Sequence, residues 1–232
     1  MFLGLNTDDW QAIALSVKIA TLAVLVSLPP GVMLGWLLAR KSFWGKSLLE
    51  TAVNLPLVLP PVVTGMLLLY TFGRRGWIGG WLYESFGIEI ALTWKAAVIA
   101  VAVMGFPLLV RSTRLAFSSY DGRLYQVARS LGACPLDAFW SVSLPLARSG
   151  VIAGVILAFA RGLGEFGATL MFAGIRPETR TLAIEVYVLN NQPGDEFERR
   201  MWCLALASVV LAFGALTASE WMERKGRRHE SA

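Results

Sequence analysis

Histidine is almost absent from this 232-residue chain, which contains one histidine and two cysteines. The single histidine, His229, excludes any site that needs two histidine ligands, such as the H-E-x-x-H zinc site of metalloproteases. Cys134 and Cys203 are too few for a disulfide framework or a four-thiolate metal site. We therefore expect this chain to bind no metal and no cofactor of its own.

Charged residues are also scarce, at 16% of the chain, whereas an average soluble domain has about 25%. Hydrophobic residues make up 56% of the chain, and the mean hydropathy is +0.58. The charges are clustered, so that long stretches carry almost none. This pattern is typical of a membrane protein, because a soluble core of this size does not require so much apolar sequence.

Several stretches are long and apolar enough to cross a bilayer as helices, which takes roughly 20 residues each. These stretches are Ala12–Leu38, Leu48–Phe72, Ala96–Phe117, Leu144–Phe172 and Met201–Met222. Because unpaired backbone cannot face lipid, the predicted fold is all-α, a polytopic bundle of five transmembrane helices. The transmembrane domain is expected over residues 10–222, followed by a basic tail over residues 223–232.

Lysine and arginine are unevenly distributed among the connecting segments. The regions Arg40–Glu50, Arg111–Arg148 and the tail after Thr217 hold 12 Lys/Arg against 6 Asp/Glu, and the remainder holds 9 against 10. Basic loops stay in the cytoplasm, so the N-terminus is predicted outside the cell and the C-terminus inside. The pI of 9.5 then follows from topology, and nucleic acid is not an expected partner.

Prolines are concentrated in the first two spans, at positions 29, 30, 56, 60 and 61. Proline removes a backbone donor and clashes with the preceding turn, so we expect these helices to kink or partly open. Pro60, Pro61 and Gly65 are predicted to shape a kinked stretch that faces a transport pathway. A passive kink in an ordinary bundle is the alternative interpretation.

Arg161 and Glu165 are the only charges of the fourth stretch after Arg148. Four residues apart on a helix, they share a face and can pair. We interpret them as a structural pair or, alternatively, as an anion-steering arginine with its partner in an aqueous cavity.

Two pairs of glycines inside the spans have the small-xxx-small spacing that lets helix backbones approach closely. The pairs are Gly31 with Gly35 and Gly150 with Gly154. Their spacing predicts helix packing, either within one chain or between two chains.

The segment between the third and fourth stretches, about residues 118–145, is long enough to fold. Its sequence predicts a helical piece near Arg123–Leu131, a break at Gly132, and a second amphipathic piece ending at Pro145. This segment resembles the EAA loop, EAA-x3-G-x9-I-x-L-P, of the membrane subunits of bacterial ABC importers. The matching positions are Gln126, Val127, Ala128, Gly132, Val142, Leu144 and Pro145. Gln126 departs from the pattern, because the family usually has glutamate there.

The resemblance implies that this loop docks on a separate ATPase subunit. The residues to which it assigns this role are Tyr125, Gln126, Val127, Ala128, Arg129, Leu131, Gly132, Ala133, Leu144 and Pro145. We expect Val127 and Leu131 to present one apolar face of the loop helix to the ATPase, with Gly132 turning the chain away.

Further sequence from Trp10 to Trp221 resembles the permeases of molybdate ABC transporters, including LPLVLPPVVTGMLLLYTFGRRGWIG and ARGLGEFGATLMFAG. Sulfate/thiosulfate and tungstate permeases share the Gly-Trp-Ile-Gly and Gly-Glu-Phe-Gly elements and are the alternatives. The family implies a type I importer in the bacterial inner membrane. It implies a homodimer of this chain, two cytoplasmic ATP-binding subunits and a periplasmic oxyanion-binding protein.

Two other classes of protein remain as competing interpretations. An intramembrane enzyme requires a convergent catalytic pair, which the spans do not contain. Gly45-Lys46-Ser47 resembles the end of a nucleotide-binding P-loop, but Arg40 stands where that motif requires its first glycine. The chain is therefore expected not to be an enzyme and to leave ATP and Mg²⁺ to its partner. A non-transporting membrane scaffold or sensor subunit is the other competitor.

Overall fold

The computed structural model describes the backbone of residues 5–230, and the side chains of these residues except 218, 219 and 222–230. Within this range the chain is helical and forms no β-strand, which confirms the all-α prediction. The α-helices are α1 (Thr7–Arg40), α2 (Lys46–Val58), α3 (Pro61–Phe72), α4 (Trp77–Phe86), α5 (Trp94–Ser119), α6 (Arg123–Ser130), α7 (Pro135–Ala138), α8 (Leu144–Leu163), α9 (Gly167–Ala173), α10 (Leu182–Asn190) and α11 (Asp195–Glu230). A π-helical turn (Phe139–Ser143) joins α7 to α8, and a 3-10 turn (Pro177–Thr179) precedes α10.

Four continuous helical segments of the described chain are long and apolar enough to cross a membrane. They are Thr7–Arg40, Trp94–Ser119, Pro135–Leu163 and Asp195–Thr217. A further candidate consists of two pieces, Lys46–Val58 and Pro61–Phe86, whose axes differ by 113°. The break falls at Leu59 and Pro60, where the sequence predicts a kink.

Helix α5 lies at the centre of the bundle, and both glycine pairs pack against it within the chain. A Cβ atom on Gly31 would lie 2.7 Å from Leu109 Cδ2, so α1 approaches α5 too closely for a side chain there. On the other side, Ser112 Oγ donates a hydrogen bond of 2.8 Å to the Gly150 carbonyl in α8. The spacing therefore serves contacts within one chain, which the sequence left open.

These contacts also fix the relative directions of the helices. Residues 31 and 35 of α1 meet residues 109 and 113 of α5, so the two helices run parallel. Residues 150 and 162 of α8 meet residues 116 and 101 of α5, so α8 runs antiparallel to both. We call the face where α1 and α5 begin the upper face, and the face where they end the lower face.

The bent pair α2–α3 crosses from the lower to the upper face. At its start, Arg114 Nη1 near the end of α5 lies 3.0 Å from Glu50 Oε2. At its other end, the ring centroid of Phe72 lies 6.1 Å from that of Phe172. The carbonyl of Phe172 in turn accepts the Leu92 amide, just before α5 begins. The pair therefore extends between the two faces, and counted as one broken span it brings the candidate spans of the described chain to five.

Helix α11 begins at the upper face, where it is fastened to the start of α1. Arg200 Nε and Nη2 donate hydrogen bonds of 3.0 and 2.9 Å to the two carboxylate oxygens of Asp9, and both residues are buried. The Asn6 amide donates to the same carboxylate. Because α11 then crosses to the lower face, the start of α1 and the end of α11 lie on opposite faces.

Three details differ from the sequence-based prediction. Pro29 and Pro30 do not interrupt α1, because each removes only one hydrogen bond and the close packing on α5 holds the helix together. The fourth stretch is not a single helix, since α8 ends at Leu163 and α9 begins at Gly167. The amphipathic piece after the loop does not end at Pro145. It continues into α8 through the π turn, whose wider ring accommodates the missing proline amide.

Candidate coupling and translocation site

The short helix α6 projects from the lower face and carries an apolar side that nothing in the described chain covers. It extends over Arg123–Ser130 and contains no buried residue. Leu124, Val127 and Leu131 are all exposed. Their spacing of three and four residues places them on one side of the helix. The predicted pairing of Val127 with Leu131 on one face is thus present in the structure.

A tight turn after α6 requires glycine. Gly132 has a φ of +94°, which lies in the left-handed region that side chains with a Cβ rarely adopt. The Ala133 amide donates a 3.1 Å hydrogen bond to the Ala128 carbonyl, and Arg129 Nη1 donates one of 2.6 Å to the Ala133 carbonyl. The chain therefore reverses immediately after the exposed apolar side of α6.

The structure brings most of the predicted loop residues together, but not all of them. Residues 125–129 lie on α6 and residues 131–133 lie in the turn that follows. Leu144 and Pro145 lie instead in the first turn of α8, beyond α7 and the π turn. These two residues belong to the start of α8, where Leu144 is half-buried and Pro145 is exposed.

An aromatic cluster, which the sequence analysis missed, connects this loop to the spans. Trp36 near the end of α1 has its ring centroid 6.1 Å from that of Tyr125 on α6 and 5.7 Å from that of Phe139 in the π turn. Phe139 lies 6.1 Å from Phe117 of α5. Aromatic pairs at these distances contribute about 0.5–1.5 kcal/mol beyond their buried area. The loop is therefore packed against both α1 and α5.

A cation–π contact adds to this attachment. The guanidinium of Arg40, the last residue of α1, lies 4.1 Å from the ring centroid of Tyr120, the residue after α5. Its Nη2 also donates a 3.0 Å hydrogen bond to the Tyr120 carbonyl. The sequence does show aromatic residues at the ends of both spans. Which of them pair could not be read from it, because the pairing depends on the parallel packing of α1 and α5.

The two broken spans meet each other at their breaks. A Cβ atom on Gly65 of α3 would lie 2.6 Å from the Ala168 carbonyl oxygen of α9. One on Gly167 would lie 2.9 Å from Pro61 Cβ. Both glycines thus allow the backbone of α3 to lie directly against that of α9. Because Pro60 precedes α3 at the kink, the three predicted residues of the second span lie at this contact.

The predicted pair Arg161 and Glu165 lies in the break of the fourth span. Arg161 Nη1 is 2.7 Å from Glu165 Oε2, and the Glu165 side chain is buried. Its other oxygen, Oε1, accepts a 2.9 Å hydrogen bond from the Ala168 amide at the start of α9. The predicted pairing of these two charges is thus present in the structure. Since Ala168 also touches Gly65, this pair and the proline kink form one region.

A cleft of about 600 Å³ opens at the upper face beside the start of α1. Lys18 and Trp94 lie on one side of it, with the Lys18 ammonium 5.4 Å from the ring centroid of Trp94. Glu185 of α10 lies on the other side, 3.6 Å from Arg180 Nη1. Burial raises the pKa of the Glu185 carboxyl above its ordinary value, against the opposing effect of Arg180. The segment between α9 and α11 thus contributes Arg180 and Glu185 to this cleft.

Among the described residues, no group of three or more His, Cys, Asp or Glu side chains is placed to hold a metal ion. The arrangement instead consists of an exposed loop surface, an aromatic attachment to two spans, and two broken helices in contact. The aromatic contacts attach the exposed loop to α1 and α5.

The model of the protein family described as "Binding-protein-dependent transport system inner membrane component" matches residues 31–228. The chain belongs to this family of multi-pass inner-membrane transport subunits. It is 50% identical to the molybdenum transport system permease protein ModB of Escherichia coli K12, over 96% of this chain and 97% of that protein. It is 45% identical to the ModB protein of Haemophilus influenzae, over 93% of each chain.

Solved structures support the same fold at much lower sequence identity. A bacterial alginate ABC transporter in complex with its alginate-bound periplasmic protein gives a TM-score of 0.71 at 14% identity, covering 96% of this chain and 81% of that one. The inward-facing MetNI methionine ABC transporter gives 0.65 at 19%, covering 94% of each chain. The fold is that of the transmembrane subunits of type I ABC importers.

Proposed function

We propose that this chain is the membrane-spanning permease subunit of an ATP-driven importer for molybdate, which a periplasmic binding protein delivers. The carrying observation is the 50% identity to a molybdenum transport permease over nearly the full length of both chains. Tungstate and sulfate/thiosulfate are the alternative substrates. All of these anions are tetrahedral dianions, so the oxyanion class of the substrate is better supported than the identity of its central atom.

The working unit is a homodimer of this chain with two cytoplasmic ATP-binding subunits, which hold ATP and Mg²⁺. The exposed face of α2 is the observation that supports a second copy of this chain in the complex. This helix buries no residue within the chain, although its exposed residues include the polar Thr51 inside a membrane span. Polar groups at membrane depth face protein or a water-filled cavity, because contact with lipid is costly.

The loop helix α6 docks on the ATPase through Leu124, Val127 and Leu131. Each buried apolar side chain contributes about 1.5–3 kcal/mol, and the ordering of the interface reduces the net gain. The aromatic contacts of Trp36 and Phe139 then carry movement of the ATPase to α1 and α5 as a rigid body.

The lower face is cytoplasmic and the upper face periplasmic. The basic segments Arg40–Glu50 and Arg111–Arg148 lie at or near the lower face, as expected for cytoplasmic loops. A reporter fused after Ala232 is expected to be active only as a cytoplasmic reporter. A periplasmic reporter signal at that position contradicts this orientation.

The contact between the two broken spans forms part of the translocation pathway. Broken helices at membrane depth occur where they are buried in protein or line a cavity. Here α3 packs on α9 through Gly65. Other side chains of α3, including Val62 and Val63, are exposed and line the pathway.

The function is tested by combining the purified permease, ATPase and binding protein in liposomes and measuring uptake of radiolabelled molybdate with and without ATP. ATP-dependent uptake supports the proposal, and competition by tungstate or sulfate ranks the three anions. ATP hydrolysis without uptake of any oxyanion contradicts it and favours a scaffold or sensor subunit. Uptake of sulfate alone assigns the chain to the alternative substrate.

A further inference from the structure

A small crevice between α2 and α5 opens near the lower face, away from the contact between the broken spans. Its volume is about 180 Å³, which is enough for a tetrahedral oxyanion with one or two waters, since a water occupies about 30 Å³. The residues that line it are Leu38, Glu50, Val53, Asn54, Pro107, Val110, Arg111 and Arg114.

The charged groups that line this crevice are two arginines and one glutamate. Arg114 Nη1 lies 3.0 Å from Glu50 Oε2, so these two charges balance each other. Arg111 makes no hydrogen bond and no ion pair with the described residues, and it is exposed. The crevice therefore holds one guanidinium whose charge no described side chain balances.

The surroundings of the crevice are polar to a considerable depth. Ser47, Glu50, Thr51 and Asn54 follow one another along α2, and Asn54 lies about 12 Å from the start of the helix at 1.5 Å per residue. Thr51 and Asn54 bond to carbonyls of their own helix. Such a stripe faces water or protein in a membrane, because contact with lipid is costly.

We propose that Arg111 binds the transported oxyanion in the cytoplasmic half of the transport pathway. Arg114 is a second cation nearby, and its charge is balanced by Glu50. This inference rests on the proposed function. A planar guanidinium presents two donors to two oxygens of a tetrahedral dianion. Because Glu50 competes for Arg114, the arriving anion meets one free guanidinium and is not trapped between two. A transport site must bind its ion weakly enough to release it.

The alternative role for Arg111 is a membrane anchor whose guanidinium reaches the interfacial water. An anchor requires a positive charge at the lower face but no contact with the transported anion. The two roles are separated by comparing position 111 with another cationic position at the lower face, because an anchor role predicts the same charge dependence at both positions and an anion contact predicts it at position 111 alone.

The experiment uses the full importer in liposomes, with the permease cysteines replaced by Cys134→Ser and Cys203→Ala; neither cysteine forms a disulfide. Arg111→Cys is introduced and modified, before assembly, with a cationic trimethylammonium-ethyl or an anionic sulfonato-ethyl thiosulfonate reagent. Lys41→Cys, an exposed cation just after α1, is the matched control. Binding-protein-stimulated ATP hydrolysis reports assembly.

Unmodified Arg111→Cys is expected to take up molybdate about tenfold more slowly at low concentration, the effect of losing one charge-assisted contact. The cationic adduct restores most of the uptake and the anionic adduct does not, whereas both adducts of Lys41→Cys transport normally. Equal uptake with either adduct at position 111, or the same charge dependence at position 41, overturns the proposal.

Arg111→Gln and Arg111→Lys provide a second test if Arg111→Cys fails to assemble. The glutamine variant is expected to lose uptake, and the lysine variant to retain part of it with a raised KM. Equal uptake by wild type and Arg111→Gln overturns the proposal. If wild type and the cysteine-free background take up no oxyanion, the proposed function itself has failed. If they transport and the Arg111 variants match them, only this inference has failed.

Discussion

The ring of Trp36 contacts the ring of Tyr125 edge-on, with their centroids 6.1 Å apart, and so joins the end of the first span to the exposed loop helix. Trp36 makes a second edge-on contact with Phe139 at 5.7 Å. One side chain of α1 thus touches both the loop helix and the turn that leads into α8. The loop has no independent freedom to move while these contacts persist.

Replacing Trp36 by alanine is expected to loosen the coupling of ATP hydrolysis to transport. Each edge-to-face contact contributes about 0.5–1.5 kcal/mol, and Trp36→Ala removes two of them. The number of ATP molecules hydrolysed per anion imported should rise, while the ATPase still copurifies. Trp44→Ala, at a fully exposed tryptophan in the loop after α1, is the control and should leave that ratio unchanged. Unchanged stoichiometry in Trp36→Ala contradicts the attachment.

Substitution of Gly132 tests the turn after α6. Its φ of +94° disfavours residues with a Cβ, yet a Cβ there would meet no atom within 4 Å. Gly132→Asp is expected to uncouple transport or abolish the complex while membrane insertion persists, and a β-branched Gly132→Val is expected to be worse than Gly132→Asn. ATPase copurification and binding-protein-stimulated turnover measure the effect. Normal coupled uptake with Gly132→Asp argues against docking of this loop.

The resemblance to the EAA loop gives a companion prediction for Gln126. Gln126→Glu restores the residue that the family usually has and should be tolerated. The same copurification and turnover measurements apply. A loss of complex formation in Gln126→Glu would mean that the ATPase surface opposite this position is itself acidic.

The Asp9–Arg200 ion pair is expected to dominate the stability of the upper face. Asp9→Asn leaves a buried guanidinium without a countercharge, which costs about 3–5 kcal/mol. Asp8→Asn, at the exposed neighbouring carboxylate, should change the stability by less than about 0.5 kcal/mol. Thermal unfolding of the two purified variants in the same detergent gives the comparison. Equal melting temperatures would contradict the role of the pair.

The pathway assignment predicts different reactivity at neighbouring positions of α3. Val62→Cys and Val63→Cys, whose side chains are exposed, should react with a water-soluble thiol reagent in the assembled complex. Thr64→Cys, at a buried position, is the matched control and should react slowly. If neither Val62→Cys nor Val63→Cys reacts in any nucleotide state, this stretch does not line an aqueous pathway.

The raised pKa of Glu185 predicts a pH-dependent contribution to stability. The unfolded carboxyl loses its proton near the ordinary value of 4.5, and the folded one does so only at higher pH. Between these two values the folded state binds more protons, so this contribution falls as pH rises. Glu185→Gln removes this pH-dependent loss of stability. The stability of the variant relative to wild type should therefore increase as pH rises above 4.5. Thermal unfolding across this range measures the difference, with exposed Glu178→Gln giving a parallel profile.

Features that depend on local pattern were predictable from the sequence. The run Ala96–Phe117 lies wholly within α5, because a long and mostly apolar stretch leaves the backbone only one way to satisfy its hydrogen bonds in lipid. The kink before Pro61 and the glycine turn at position 132 follow from the backbone limits of those two residue types.

Features that depend on distant partners were not predictable. Asp9 and Arg200 are 191 residues apart, and nothing near either residue identifies the other. The break at Glu165 lies inside an apolar stretch, and the hydrogen bond from the Ala168 amide to the Glu165 carboxylate forms only once the chain has turned. The contacts of Trp36 were not predictable for the same reason, since its partners depend on how α1 lies against α5.

The π turn Phe139–Ser143 has a geometric consequence for the loop that precedes it. Its closing hydrogen bond joins the Leu144 amide to the Phe139 carbonyl, one residue further along than an α-helix requires. One residue corresponds to about 100° of rotation around the helix axis. The turn therefore sets the angle at which α6 and α7 are placed around the axis of α8. An insertion or deletion of a single residue there would redirect the loop sideways around the axis of the span, with little change in how far it extends from the membrane.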